Sequence, residues 1–187
     1  MHLLILWLVR DKLAQPGSSV LDAGSGTGWL AQAFALAADD REARVVGFDI
    51  DERDVELARK HLSDPRAITG TCKTPTPHVF QGDLLADGFG FGTSARREVL
   101  ERRYDVINVG IALEDVAHSA VFRRLALLLK DGGKMTVPIC TEPRNSKGSC
   151  KADFRVFRRT GPAPGNTIQE VHSAYSVVFV VAEHSGT

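Results

Sequence analysis

Short apolar runs alternate with longer helix-forming stretches along most of this chain. Ser19-Val20-Leu21-Asp22-Ala23, Arg44-Val45-Val46-Gly47-Phe48-Asp49, His78-Val79-Phe80-Gln81 and Tyr104-Asp105-Val106-Ile107-Asn108-Val109 read as short strands. Residues 3–14 read as a helix, apolar on most faces and broken by Gln15-Pro16-Gly17. Residues 27–38 are helical by their Ala and Leu content, and 51–62 form a charged amphipathic helix capped by Asp51. A helix over 116–130 stops at Asp131-Gly132-Gly133.

Residues 63–77, rich in Pro, Thr and Gly, read as a loop. Gly88, Gly90 and Gly92 mark 87–93 as a flexible surface insertion, running into a short helix near 96–102. Residues 134–140 form a fifth strand and 141–149 a polar loop. Two final strands, 153–159 and 171–182, are joined through Gly161-Pro162-Ala163-Pro164-Gly165 as a hairpin. Strand–helix alternation implies a parallel sheet with helices on both faces, and two closing strands without a helix imply an antiparallel end. This is a doubly wound α/β sheet. With neither repeats nor a long linker, residues 1–187 are expected to form a single domain.

The run Leu3-Leu4-Ile5-Leu6-Trp7-Leu8-Val9 is too short for a membrane span, which needs about 18 residues or more. It also lacks the basic flank and cleavage site of a signal peptide, so it reads as a buried helix. Composition narrows the classes further. Lys plus Arg and Asp plus Glu both number 23, which argues against a nucleic-acid binder working by bulk charge and against a polybasic membrane anchor. Cys72, Cys140 and Cys150 are odd in number and form no C-x-x-C pair, and the six histidines show no ligand spacing. A metal-free protein in a reducing cytoplasm is the expectation.

The candidate chemistry lies at three strand ends. Asp22-Ala23-Gly24-Ser25-Gly26-Thr27-Gly28 runs from a strand through alternating glycines into a helix. Such a turn lets backbone approach a ligand, and the helix start offers free N–H groups. The dinucleotide fingerprint G-x-G-x-x-G has a different spacing, which disfavours a dehydrogenase. Asp49 ends the second strand, where a carboxylate can accept both ribose hydroxyls. Asp83, after Gly82 at the third strand's end, could accept from an adenine amino group. Acids at successive carboxyl ends of one sheet define a nucleoside site.

These residues resemble the protein-L-isoaspartate (D-aspartate) O-methyltransferases. The resemblance rests on Val20 to Gly28, Val45 to Asp49, Gly82-Asp83, Tyr104-Asp105-Val106-Ile107-Asn108-Val109-Gly110, and Leu128-Leu129-Lys130-Asp131-Gly132-Gly133-Lys134-Met135-Thr136-Val137-Pro138. It implies a seven-stranded class I S-adenosylmethionine-dependent methyltransferase (Rossmann-like) fold with an antiparallel C-terminal hairpin. It implies methylation of isoaspartyl and D-aspartyl carboxylates in damaged proteins, initiating repair. It also implies S-adenosyl-L-methionine as cofactor, with S-adenosyl-L-homocysteine as product. His2, Asp22, Gly24, Ser25, Gly26, Thr27, Gly28, Asp49, Ile50, Gly82 and Asp83 would then line the cofactor, in a monomer acting on proteins and peptides. A carboxylate nucleophile is already ionised at neutral pH, so no general base is required and alignment carries the catalysis.

The chain also departs from the family pattern. Met1-His2 align with the end of the family's Ser-Ala-Pro-His-Met-His-Ala segment, so its serine has no counterpart and no catalytic residue is assigned. Asn108 stands where the family has His, and Glu183 where it has a threonine. These departures keep open a cofactor binder without catalysis and a small-molecule methyltransferase on the same fold. Arg96, Arg97, Arg102 and Arg103 read as a solvated helical face, Cys140 as core, and Trp29 and Phe34 as helix-to-sheet packing.

Overall fold

The strands of this protein form one sheet in the order β3-β2-β1-β4-β5-β6-β7, with β8 also paired to β6. The structure is a computed structural model that describes residues 2–38, 42–63, 76–110, 115–140, 150–160, 167–172 and 176–179. Its elements are α1 (His2–Leu13), β1 (Ser19–Ala23), α2 (Trp29–Ala38), β2 (Arg44–Asp49), α3 (Glu52–Ser63), β3 (His78–Gln81), α4 (Thr93–Leu100) and β4 (Tyr104–Val109). There follow α5 (Asp115–Ala126), β5 (Leu129–Cys140), β6 (Cys150–Thr160), β7 (Thr167–His172) and β8 (Ser176–Phe179).

Pairings from β3 across to β5 are parallel, and β6 runs antiparallel to β5, β7 and β8. β7 takes one end of β6 and β8 the other, so together they fill a single seventh position. The expected seven-stranded α/β sheet with an antiparallel end is observed. The final strand expected over 171–182 is instead two pieces, the first starting at Thr167. A register shift between Val156 and Phe157 of β6 accompanies the break, as an irregular pairing bends its neighbour.

Alternation along each strand assigns the faces. Val20, Val45, Val106 and Val156 pack with Ile5, Leu8 and Val9 of α1 and with Leu30 and Phe34 of α2. Leu21, Val46, Ile107, Met135 and Phe157 project to the other side, toward Val99 of α4 and Val121 and Leu125 of α5. Strands covered on both faces must be apolar almost throughout, which is why their sequences read as apolar runs. Each such side chain contributes about 1.5–3 kcal/mol when fully buried.

Several expectations change in detail. The helix α1 buries one face, through Ile5, Leu8, Val9 and Leu13, and leaves Trp7 half exposed. No described helix is long and apolar enough to cross a membrane. The segment 87–93 is anchored rather than loose: Asp87–Gly90 forms a 3-10 turn, and Phe89 is buried against Phe48 and Phe91. The helix expected to reach 130 ends at Ala126, and β5 begins at Leu129. Asp131-Gly132-Gly133 lies in a bulge of β5, because Leu129 already pairs with Tyr104 while Lys134 pairs with Val106. The expected loops at 64–75 and 141–149, the hairpin tip at 161–166 and Glu183 lie outside the described residues.

Candidate functional site

Chain connections leave β1 and β4 in opposite directions across the sheet, which opens a crevice at their carboxyl ends. A cleft of about 220 Å³ occupies that point. Asp22, Gly24, Ser25, Gly26 and Thr27 line one side, and Asn108, Val109 and Gly110 the other. Ile5, Trp29, Leu30 and Phe154 supply its apolar wall.

The turn after β1 is tied to the rest of the sheet by backbone bonds. Gly24 and Ser25 both donate N–H to the carbonyl of Phe48, at 2.8 and 3.0 Å. Gly26 donates its N–H to Oδ2 of Asp49 at 2.7 Å. Gly110 donates to the carbonyl of Ala23 at 2.6 Å, and any side chain on Gly110 would meet the Gly24 carbonyl at 1.9 Å. This close approach brings the β1 turn and the end of β4 together. Gly28 (φ +82°) serves a different contact, since a Cβ there would lie 3.1 Å from Cβ of Ala58 in α3.

The three strand-end acids sit in unequal surroundings. Asp49 is half-buried, and its Oδ1 accepts the Asp51 N–H at 3.1 Å. Each oxygen therefore holds one backbone donor and keeps capacity for another. Gly82 donates to the carbonyl of Asp49 at 2.8 Å, which brings the third strand end beside the second. Asp83 accepts the Leu85 N–H at 2.8 Å and donates its own N–H to Phe89, so it belongs to the turn anchored by that ring. The Arg124 guanidinium of α5 lies over Phe89 and donates to the carbonyls of Leu85 and Ala86.

Asp22 is the buried acid, at 1 % exposure. Burial pushes its carboxyl up to about 7; the hydrogen bond from Asn108 acts in the opposite direction, and the Asp49 charge adds to the rise. Its Oδ1 accepts from Nδ2 of Asn108 at 2.8 Å, and its Oδ2 has no partner among the described residues. The Ser25 hydroxyl is likewise buried and unpartnered. Orphaned oxygens at a cleft wall fit a ligand that brings donors.

Of the residues singled out from sequence, Asp22, Gly24, Ser25, Gly26 and Thr27 line this cleft together, and Asp49 adjoins it through Gly26. Gly82 and Asp83 continue along the same sheet edge, and Ile50 is exposed beside Asp49. His2 begins α1, with its side chain outside the described residues. Phe34 is core, as expected, and Arg96, Arg97, Arg102 and Arg103 are exposed. The side chain of Cys140 lies outside the described residues.

Trp29 differs from its expected packing role. It is 59 % exposed at the cleft mouth, its ring 3.8 Å from that of His61. Sequence reasoning did not place Asn108, Thr136 or Gly110 at the site. The available signal was a polar residue inside an apolar strand, Ile107-Asn108-Val109 and Met135-Thr136-Val137.

A family profile described as "Methyltransferase domain" matches residues 5–153. Protein-L-isoaspartate O-methyltransferase 2 of Arabidopsis thaliana is 33 % identical over 169 residues, covering 87 % of this chain and 49 % of the plant protein. The Triticum aestivum protein-L-isoaspartate O-methyltransferase is 33 % identical over 142 residues, 75 % of this chain and 54 % of its own length. The chain thus spans about half the length of the curated relatives it matches. A Plasmodium falciparum structure described as a beta-aspartate methyltransferase in complex with S-adenosyl-L-homocysteine superposes with a TM-score of 0.62. That match has 20 % identity and covers 95 % of this chain and 72 % of the other, which establishes shared fold.

Proposed function

Because this chain belongs to the methyltransferase-domain family, we propose that it transfers a methyl group from S-adenosyl-L-methionine to the carboxylate of L-isoaspartyl and D-aspartyl residues, initiating repair of damaged proteins. The observation that carries the reading is the buried Asp22 beside the glycine turn, with Asp49 adjoining, in a chain similar to plant isoaspartate methyltransferases. We take the 187 residues as one methyltransferase domain, acting as a cytoplasmic monomer on proteins and peptides rather than on nucleic acid or membrane.

The residues fit the cofactor. Asp49 offers spare acceptor capacity to the ribose hydroxyls, Asp83 to the adenine amino group, and the glycine turn gives backbone access to the amino-acid tail. Ser25, Thr27, Gly82 and Ile50 extend the same surface. His2 and Gly28 complete the set drawn from the resemblance, Gly28 through its packing on α3. When bound there, the cofactor would supply a sulfonium methyl to an acceptor carboxylate and would leave as S-adenosyl-L-homocysteine. The acceptor is ionised at neutral pH, so the protein's task is to hold both partners in line and exclude water.

The test is base-labile methanol release from an isoaspartyl peptide, compared with its aspartyl twin. Release from the isoaspartyl peptide alone is the expected result. S-adenosyl-L-homocysteine binding without turnover would identify a cofactor binder, and methylation confined to a metabolite extract would identify a small-molecule enzyme.

A further inference from the structure

Asp22 of β1, Asn108 of β4 and Thr136 of β5 are register partners on three adjacent strands. All three are essentially inaccessible to solvent. The Asn108 amide donates to Oδ1 of Asp22, and the Thr136 hydroxyl donates to Oδ1 of Asn108, both at 2.8 Å. The next partner in the row, Val156 opposite Thr136, is apolar. Burying polar groups in a core of Val, Ile and Phe is costly unless each finds a partner. Among the described residues the row is bonded end to end except at one atom, Oδ2 of Asp22, at the cleft.

The amide has two ends, and the Thr136 hydroxyl decides which faces Asp22. With Oδ1 of Asn108 engaged by Thr136, the NH₂ is turned toward the carboxylate. We infer that Asn108, oriented by Thr136, is a positioning residue that occupies Oδ1 of Asp22 and leaves Oδ2 to receive the ammonium of the ligand's amino-acid tail. The inference rests on the cofactor reading above.

The arrangement couples ligand and proton. Asp49 at the end of β2 is the charged group acting on Asp22. The described residues that α1, α2 and β6 present at this cleft are Ile5, Leu30, Trp29 and Phe154, none of them titratable. A cation at Oδ2 favours the ionised carboxylate, so binding displaces a proton whenever Asp22 starts protonated. Affinity for an ammonium-bearing ligand then rises as pH increases through 7. Loss of the Asn108 donor moves that rise to higher pH.

Calorimetric titration with two nucleosides at pH 6 to 8.5 tests this. S-adenosyl-L-homocysteine carries the ammonium, and 5′-methylthioadenosine lacks the amino-acid tail. For the unaltered protein, S-adenosyl-L-homocysteine affinity should rise about tenfold between pH 6 and 8, while 5′-methylthioadenosine affinity stays flat. Thr136→Val and Asn108→Leu should weaken S-adenosyl-L-homocysteine at pH 7 by about threefold and about tenfold and shift its profile upward. Thr136→Val, whose side chain does not line the cleft, should leave 5′-methylthioadenosine affinity unchanged, whereas damage to the fold would weaken both ligands. Identical profiles in Thr136→Val and the unaltered protein, or a flat S-adenosyl-L-homocysteine profile, overturn the inference and leave the cofactor reading intact. Binding of neither nucleoside to the unaltered protein overturns both.

Discussion

The backbone N–H of Gly26 donates to Oδ2 of Asp49 across 2.7 Å, fastening the turn after β1 to the end of β2. The bond joins two features that sequence treats as separate motifs. It also fixes the plane of the carboxylate, whose other oxygen holds the Asp51 N–H. Asp49→Ala removes an acceptor and releases the turn together. Hydrogen bonds to a charged group are worth about 1.5–3 kcal/mol, so S-adenosyl-L-homocysteine affinity should fall about 10- to 100-fold by calorimetry. Unchanged affinity would remove Asp49 from the site.

Gly110 has no room for a side chain, since a Cβ would lie 1.9 Å from the Gly24 carbonyl. Gly110→Ala must separate the β1 turn from the end of β4. A destabilisation of about 3 kcal/mol is expected in urea titration, the upper part of the usual overpacking range. A variant as stable as the parent would mean that this approach is not required.

Tyr104 is fully buried, and its hydroxyl donates to the carbonyl of Val99 at 3.1 Å, with the Glu98 carbonyl at 3.3 Å. Burial pushes the phenol up to about 12, so it stays protonated and donating across the physiological range. Tyr104→Phe should cost about 1 kcal/mol, read as a lower denaturation midpoint with an unchanged slope.

Asp22 makes stability depend on pH in an unusual direction. In the unfolded chain its carboxyl titrates near the ordinary value of about 3.9. In the folded protein burial raises it to about 7. Between those values the folded form holds a proton that the unfolded form has lost. The contribution is complete below pH 4, declines as pH rises toward 7, and levels off above. Asp22→Asn removes this dependence. Denaturation of the ligand-free protein at pH 5 and pH 8 should therefore favour the variant more at pH 8, whatever constant offset the substitution adds. A variant-minus-parent difference equal at both pH values would contradict the buried, raised carboxyl.

Much of the fold was legible because its determinants are local. Apolar runs such as Val20-Leu21 and Val45-Val46 marked strands covered on both faces. Asp51 marked a helix start, confirmed by its acceptance of the Arg53 N–H at 2.8 Å. Glycine-rich 87–93 misled, because the local freedom of Gly88, Gly90 and Gly92 is overridden by burial of Phe89. The candidate site was half legible for the same reason: the glycine turn and the acids at strand ends are visible along the chain. Its other wall was not.

By itself the sequence determined the alternation of strands and helices, the sharp turn at Gly24-Ser25-Gly26, and the placing of Asp22, Asn108 and Thr136 within apolar strands. Only the tertiary structure decided that those three polar residues meet. Asp22 and Asn108 are 86 positions apart, and Asn108 and Thr136 are 28 apart. Their contact depends on strand order and register, which arise when whole faces are buried together. A one-residue slip would turn each side chain to the opposite face of the sheet.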